Sequence, residues 1–248
     1  MVIHMKYLGM LSKIKIFNYN TLVKIVGNNN LANATIQNYL KKGFVKRIKR
    51  DLYTTISLET DGPLADKFLI GSNITKSSFI SHHSAFEFYG YYNQVYNTVA
   101  VSSLTPFNSL EFEENTFVPI HTKSSSFIET IRGVRVASIE RTIVDSIKDS
   151  GKYSDLEETL NCIKMIPYIA IDDIAKYLEE ISSKMLYKKV GLILSLFKEQ
   201  FNIPESFFQK CHDMSDSVKG YFDTNKKAHV YNKEWKIFVY KDLSSYIN

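Results

Sequence analysis

Apolar residues recur at helical spacing along most of this chain, and the stretches where they alternate are short. Tyr7, Leu8, Leu11 and Ile14 share one side of a predicted helix over residues 5–16. Leu22, Ile25 and Val26 do the same for a second over Asn18–Val26, which Gly27 and the turn-prone Asn28-Asn29-Asn30 bring to an end. A third helix follows, with Ile36 and Leu40 facing inward, Asn33 as its N-cap and Gly43 where the chain must leave the helix. Phe44, Ile48, Leu52 and Tyr53 then alternate imperfectly with Lys46, Arg47, Lys49 and Arg50, as in a basic β-hairpin. Three helices and a hairpin can bury one small core. The breakers in Glu59-Thr60-Asp61-Gly62-Pro63 mark a boundary, so the expected domains are residues 1–60 and 61–248.

Beyond that boundary the pattern alternates between the two kinds of element. Helices are predicted over Leu64–Ser72, Ser81–Phe88 (closing at Gly90), a stretch capped by Ser138, Ser154–Ile166, Ile171–Ile181 and Ser183–Phe201. Ser154 and Glu157 fit a capping box. Short strands are predicted at Phe79-Ile80, Val95–Ser102, Thr116–Ile120, Val134–Ala137 and within the tail Val218–Tyr240. The expected class is therefore α+β, a winged helix-turn-helix followed by a larger mixed α/β domain.

Composition adds a sharp asymmetry to this picture. Residues 1–58 hold ten Lys or Arg and one acid, Asp51, a balance of +9; the remainder of the chain balances at −4. A basic head on a mildly acidic body points to a polyanion-binding module joined to something of a different kind. Within Lys41–Arg50 six of ten residues are basic and none is acidic. An amide- and hydroxyl-bearing helix beside a cationic ribbon suits duplex DNA, helix in the major groove and ribbon along phosphates. Asn33, Thr35, Gln37 and Asn38 are the candidates for base edges, where amides pair with adenine. Lys41, Lys42, Lys46, Arg47, Lys49 and Arg50 are the candidates for phosphates or a minor-groove contact. Cys162 and Cys211 form no motif and read as free thiols. Lys6 and Lys13 interrupt the apolar N-terminal residues, and no run approaches membrane-span length, so a soluble, cytoplasmic protein is expected.

The order of further segments carries a resemblance. Behind the basic hairpin and Tyr53 come Ile80-Ser81-His82-His83-Ser84-Ala85-Phe86, closing at Gly90. Then follow Gly133-Val134-Arg135-Val136 and Ser138-Ile139-Glu140-Arg141-Thr142-Ile143-Val144-Asp145, with a weaker echo at Tyr231-Asn232-Lys233-Glu234-Trp235. Across most of its length the chain resembles the AbiEi antitoxin family of type IV abortive-infection toxin–antitoxin systems. The resemblance implies a winged helix-turn-helix that represses its own promoter at inverted repeats. It also implies a C-terminal domain that opposes a nucleotidyltransferase-like toxin without a stable complex, and no catalytic residues. Asp51 stands in the wing turn where many members have Gly, and Tyr240 where a small polar residue is expected. Ser81, Ser84, Gly90, Gly133, Arg141, Thr142 and Asp145 are the marked motif positions. They read either as an antitoxin surface or as caps and an i, i+4 ion pair, with the structural role favoured.

Patterns that would indicate chemistry are weak. His82 and His83 are adjacent and cannot face one another on a helix, so no metal is expected. No G-x-S-x-G supports a Ser/His/Asp triad. Asp223 with Glu234-Trp235-Lys236 matches a metal-nuclease pattern only loosely, because Asn232-Lys233 reads as a turn. Gly71-Ser72 without a D-x-D pair rules against the toxin itself, since Asp172-Asp173 are adjacent and open a helix. Neither catalysis nor a cofactor is expected; the alternative to an antitoxin is a stand-alone regulator whose larger domain senses a ligand or partner.

Overall fold

The structure, a computed structural model, describes residues 6–222, 230–239 and 243. It is a mixed α+β chain, and among the described residues no helix is long and apolar enough to cross a membrane. Two compact units share it. The first comprises Met1–Phe79, Asn97–Thr122 and Arg132–Arg135, the second Ile80–Tyr96, Lys123–Ile131 and Val136–Asn248. The units therefore do not divide at residue 60. The run of breakers is a turn rather than a linker: Ile56 bridges Pro63, Ser57 N–H donates to Gly62 C=O, and Leu64 N–H to Thr55 C=O.

The first unit opens with α1 (Leu8–Ile14), β1 (Ile16–Phe17), α2 (Tyr19–Val26), α3 (Asn29–Lys41), β2 (Val45–Lys49) and β3 (Leu52–Thr55). The first helix stops two residues short of the expected Ile16 because Lys15 turns left-handed at φ 65°. Ile16 and Phe17 instead pair antiparallel with Thr54 and Tyr53, so the hairpin becomes a three-stranded sheet in the order β1-β3-β2. Leu8, Leu11, Phe17, Leu22, Ala32, Ile36, Tyr39, Val45 and Tyr53 form its core. Burying nine such side chains at roughly 1.5–3 kcal/mol for each large one is what holds so small a unit together. Next comes α4 (Lys67–Ser72), which starts later than the expected Leu64 because Asp66 caps it by accepting from Leu69 N–H at 2.7 Å.

The chain passes to the second unit within β4 (Phe79–Ile80), followed by α5 (His82–Tyr89), whose end Gly90 takes φ 88° as expected. It returns for β5 (Thr98–Ser103), β6 (Leu110–Phe112) and β7 (Asn115–His121). The β5 and β7 strands pair parallel from Thr98↔Thr116 to Ser103↔His121, and β6 pairs antiparallel with β7 across the Glu113-Glu114 turn. In the last two strands of this part, β8 (Ile128–Ile131) and β9 (Val134–Ala137), positive φ at both Arg132 and Gly133 makes the tight reversal. Arg135 donates to the backbone carbonyls of Ser72 (3.3 Å), Lys76 (2.6 Å) and Ser78, pinning the segment after α4.

Helices fill the rest of the second unit: α6 (Ile139–Lys148), α7 (Leu156–Met165), α8 (Ile171–Ile181), α9 (Lys184–Ser195), α10 (Lys198–Phe201) and α11 (Glu205–Ser215). Ser138 and Ser183 cap α6 and α9 as the pattern predicts. Asp155 rather than Ser154 caps α7, accepting from Glu158 N–H at 3.1 Å. The long helix expected to Phe201 breaks after Ser195. A small sheet closes the unit, β10 (Gly220–Tyr221), β11 (Val230–Asn232) and β12 (Ile237–Val239), in the order β10-β12-β11. Tyr240 and Asp223 lie outside the described residues. Trp235 seats against Gly191 of α9, where any Cβ would lie 2.2 Å from the indole Cη2, and stacks on His212 at 4.0 Å.

Candidate nucleic-acid interface

Two helices and a tight turn position the predicted base-reading face. Asn18 caps α2 by accepting from Thr21 N–H at 2.8 Å, and Gly27 ends it at φ 83°. The next residue, Asn28, caps α3 by accepting from Asn30 and Leu31 N–H at 2.8 and 3.1 Å. Asn33 is therefore not the cap. The helix begins five residues earlier, because the Asn28 side chain satisfies two orphan N–H groups at once. That shift moves Asn33 into the helix body, where it is exposed.

The faces of α3 then separate cleanly. Ala32, Ile36 and Tyr39 are buried, whereas Asn30, Asn33, Gln37 and Lys41 are exposed at i, i+3, i+7 and i+11, one continuous stripe. Thr35 and Asn38 are half-buried on the flanks, and Leu40 is half-buried rather than core. Asn30 was not among the residues expected to read bases. At the C-terminus Lys41 and Lys42 are exposed, and Gly43 takes φ 74°. Gly43 N–H bonds Leu40 C=O at 3.2 Å and Phe44 N–H bonds Tyr39 C=O at 3.0 Å. That pair of bonds, with Phe44 packed edge-on to Tyr39, is a Schellman ending, and it fixes the angle at which the chain enters β2.

The hairpin's cations are not equivalent. Strands β2 and β3 pair from Val45↔Thr55 to Arg47↔Tyr53, then shift register so that Lys49 meets Leu52. The bulge places Lys46 and Arg47 outward together while Ile48 turns in. Lys46 Nζ is held by Glu113 Oε1 at 2.7 Å, an acid supplied by the β6–β7 turn. Lys46 therefore shares its charge with a half-exposed carboxylate, unlike the other cations expected to meet phosphates. The Arg47 guanidinium lies over the Tyr53 ring, 5.5 Å from the centroid, which orients it without neutralising it. Lys49 and Arg50, with Lys76, line a 380 Å³ cleft beside Asn18, Thr21 and Asp51. Asp51 sits left-handed at φ 60° in the turn, and its carboxylate accepts from Tyr19 N–H at 2.8 Å. The residue that replaces the expected glycine therefore ties the hairpin tip to the positive end of α2.

The marked residues of the later segments are brought together, but inside the second unit. Ser81, Ser84, Arg141, Thr142 and Asp145 are all buried. Asp145 accepts from Arg141 Nε (3.1 Å), Lys148 Nζ (2.9 Å) and Tyr177 Oη (3.1 Å). Arg141 also donates to the backbone carbonyls of Ser126 and Ser124, and His82 Nε2 meets Asp149 at 3.1 Å. Burial alone would raise the pKa of Asp145, but Lys148, His82 and Arg141 outweigh it and hold the carboxyl below its ordinary range. A network of this kind, buried except at Lys148, fixes how α6 packs. The reading of these positions as an exposed antitoxin patch is overturned by that burial.

Of the residues weighed for catalysis, Asp223 lies outside the described ones and the others are placed as follows. Glu234 and Lys236 occupy the β11–β12 turn, and Lys236 pairs with Asp216 at 2.5 Å. Asp172 and Asp173 open α8. His83, separated from His82 by the turn of α5, instead meets Glu158 and Cys162 of α7, a grouping seventy-odd residues apart that no local spacing could reveal.

The arrangement defines, as a class, a mixed α+β fold. No family model matches the chain, and no curated protein matches it. Among solved structures, one match is the crystal structure of the RV2827C protein from Mycobacterium tuberculosis. It has a TM-score of 0.63 and 10% identity, covering 97% of this chain and 91% of that one. The likeness extends over both units and concerns the fold.

Proposed function

We propose that this chain is a DNA-binding autoregulator of the type IV antitoxin kind. In this reading α2, the turn at Gly27-Asn28 and α3 act as a helix-turn-helix, and β2–β3 act as its wing. Bases are read from Asn30, Asn33 and Gln37, while Lys41, Lys42, Arg47, Lys49 and Arg50 take phosphates along promoter inverted repeats. The second unit opposes a nucleotidyltransferase-like toxin without a stable complex, and no catalytic group is assigned to it.

One observation carries the reading: the exposed stripe of amides and lysine on α3, directly opposite its buried stripe, runs into a hairpin whose cations outnumber its acids. The test is fluorescence anisotropy of the full chain on its own upstream region and on a scrambled duplex. Lys41→Ala with Arg50→Ala should weaken both complexes alike, whereas Gln37→Ala should narrow the gap between them. Equal binding of wild type and both variants to both duplexes would remove the proposal. Co-expression with the product of an adjacent nucleotidyltransferase-like gene tests the antitoxin half, growth rescue being the expected outcome.

A further inference from the structure

Away from the basic face, α5 and α7 bring together three side chains whose chemistry has no part in DNA recognition. Glu158 and Cys162 are one helical turn apart on α7, and His83 reaches them from α5. His83 Nδ1 lies 3.6 Å from Glu158 Oε1, Cys162 Sγ lies 3.7 Å from the same oxygen, and all three ligand atoms fall within 4.8 Å of one another. We propose that His83, Glu158 and Cys162 bind one zinc-class divalent cation in the second unit.

The His83–Glu158 distance suits a shared ion better than a direct hydrogen bond, whereas the Cys162 S–H is placed to donate to the Glu158 carboxylate until a metal displaces its proton. A tetrahedral zinc with ordinary bond lengths holds its N, O and S ligands about 3.4–3.6 Å apart. The observed 3.6 and 3.7 Å edges approach that value, and 3.6 Å is too long for an N–H···O hydrogen bond. The donor set, one thiol, one imidazole and one carboxylate, suits a borderline-soft ion rather than magnesium or calcium. The surroundings also resemble a metal shell. Cys162 is fully buried, and the Glu158 and His83 side chains are 12% and 16% exposed, which leaves one open side. Tyr96 packs edge-on to the His83 ring at 4.2 Å, and Asn93 bonds the Glu158 side chain, so the ligands are oriented from behind. Burial, with Glu158 beside it, pushes the Cys162 thiol above its ordinary pKa. Metal binding would therefore displace that proton, forming one S–metal bond and releasing one H⁺. Three protein ligands leave a fourth position for water.

Cobalt titration of the full chain tests this directly, since a cobalt–thiolate bond gives a near-ultraviolet charge-transfer band. One equivalent per chain should produce the band, zinc should abolish it, and the melting temperature should rise with zinc. Cys162→Ser should remove the band, while Cys211→Ser, altering the other cysteine, should keep it. His83→Ala should weaken zinc binding about a hundredfold or more, beyond the loss typical of an outer-shell residue. A folded wild-type chain showing no band, or a band that survives Cys162→Ser, overturns the proposal. The wild-type titration stands even if a variant fails to fold.

Discussion

Removing the Glu113 carboxylate asks whether Lys46 belongs to the proposed DNA-binding face. Glu113 holds Lys46 at 2.7 Å, so the proposed reading assigns phosphates to Lys41, Lys42, Arg47, Lys49 and Arg50. Five neutralised phosphates give a slope of about −4.5 for log K against log salt, and a roughly 500-fold loss of affinity between 50 and 200 mM. Glu113→Ala frees Lys46 as a sixth contact. The slope should then steepen to about −5.4 and the loss to roughly 1,800-fold, with tighter binding at low salt. An exposed ion pair contributes about 0–1 kcal/mol to folding, so the fold should tolerate the change. Glu114→Ala is the control. It deletes the same charge from the same turn without touching Lys46, so it should tighten binding through the general field and leave the slope near wild type. The assay is anisotropy with a fixed duplex over a salt series. Equal slopes for wild type, Glu113→Ala and Glu114→Ala would refute the division of labour among these cations.

Three other outcomes follow from the packing. Asp51→Ala should cost about 1–2 kcal/mol in urea unfolding, from the lost bond to Tyr19 N–H and a less tolerant left-handed residue, whereas Asp51→Asn should retain most of the stability. Asp145, its folded pKa depressed, contributes stability present above its unfolded pKa near ~3.9 and lost as pH falls through the lower folded value. Acid unfolding of Asp145→Asn should therefore lack part of the wild-type pH dependence below about 4, on a baseline lowered by the damaged network. Gly191→Ala should force Trp235 out of its seat, costing about 1–3 kcal/mol, and red-shift the emission of the chain's single tryptophan. An unshifted spectrum with unchanged stability would show that the indole does not lie against α9.

Periodicity was a good guide wherever one face of an element is buried and the other wet. The bounds of α8 match the prediction, and α6 and α9 start at the serines their patterns name. Capping was read less well, because several short polar residues compete near each start and only the backbone decides among them. Asn28 displaced Asn33, and Asp155 displaced Ser154, each by accepting the N–H groups available to it. Strands of two to four residues, such as β1, β6 and β8, carry too little alternation to register, and α11 went unnoticed after Pro204. For the basic face, residue type and exposure were legible, but pairing was not. Nothing local announces that Glu113, 67 positions away, would hold Lys46, or that Asp51 would anchor α2. The buried Arg141–Asp145 pair was visible as a spacing, and only its depth separates scaffold from surface.

The route of the chain constrains how this protein can be dissected or recombined. The unit bearing the basic face is assembled from three separate stretches, ending at Phe79, Thr122 and Arg135. A fragment cut after the hairpin would discard Glu113 and the Arg135 guanidinium that secures the backbone from Ser72 to Ser78. A single genetic crossover cannot graft the unit bearing the basic face onto another body intact, so whatever the two units do is expected to be inherited as one package.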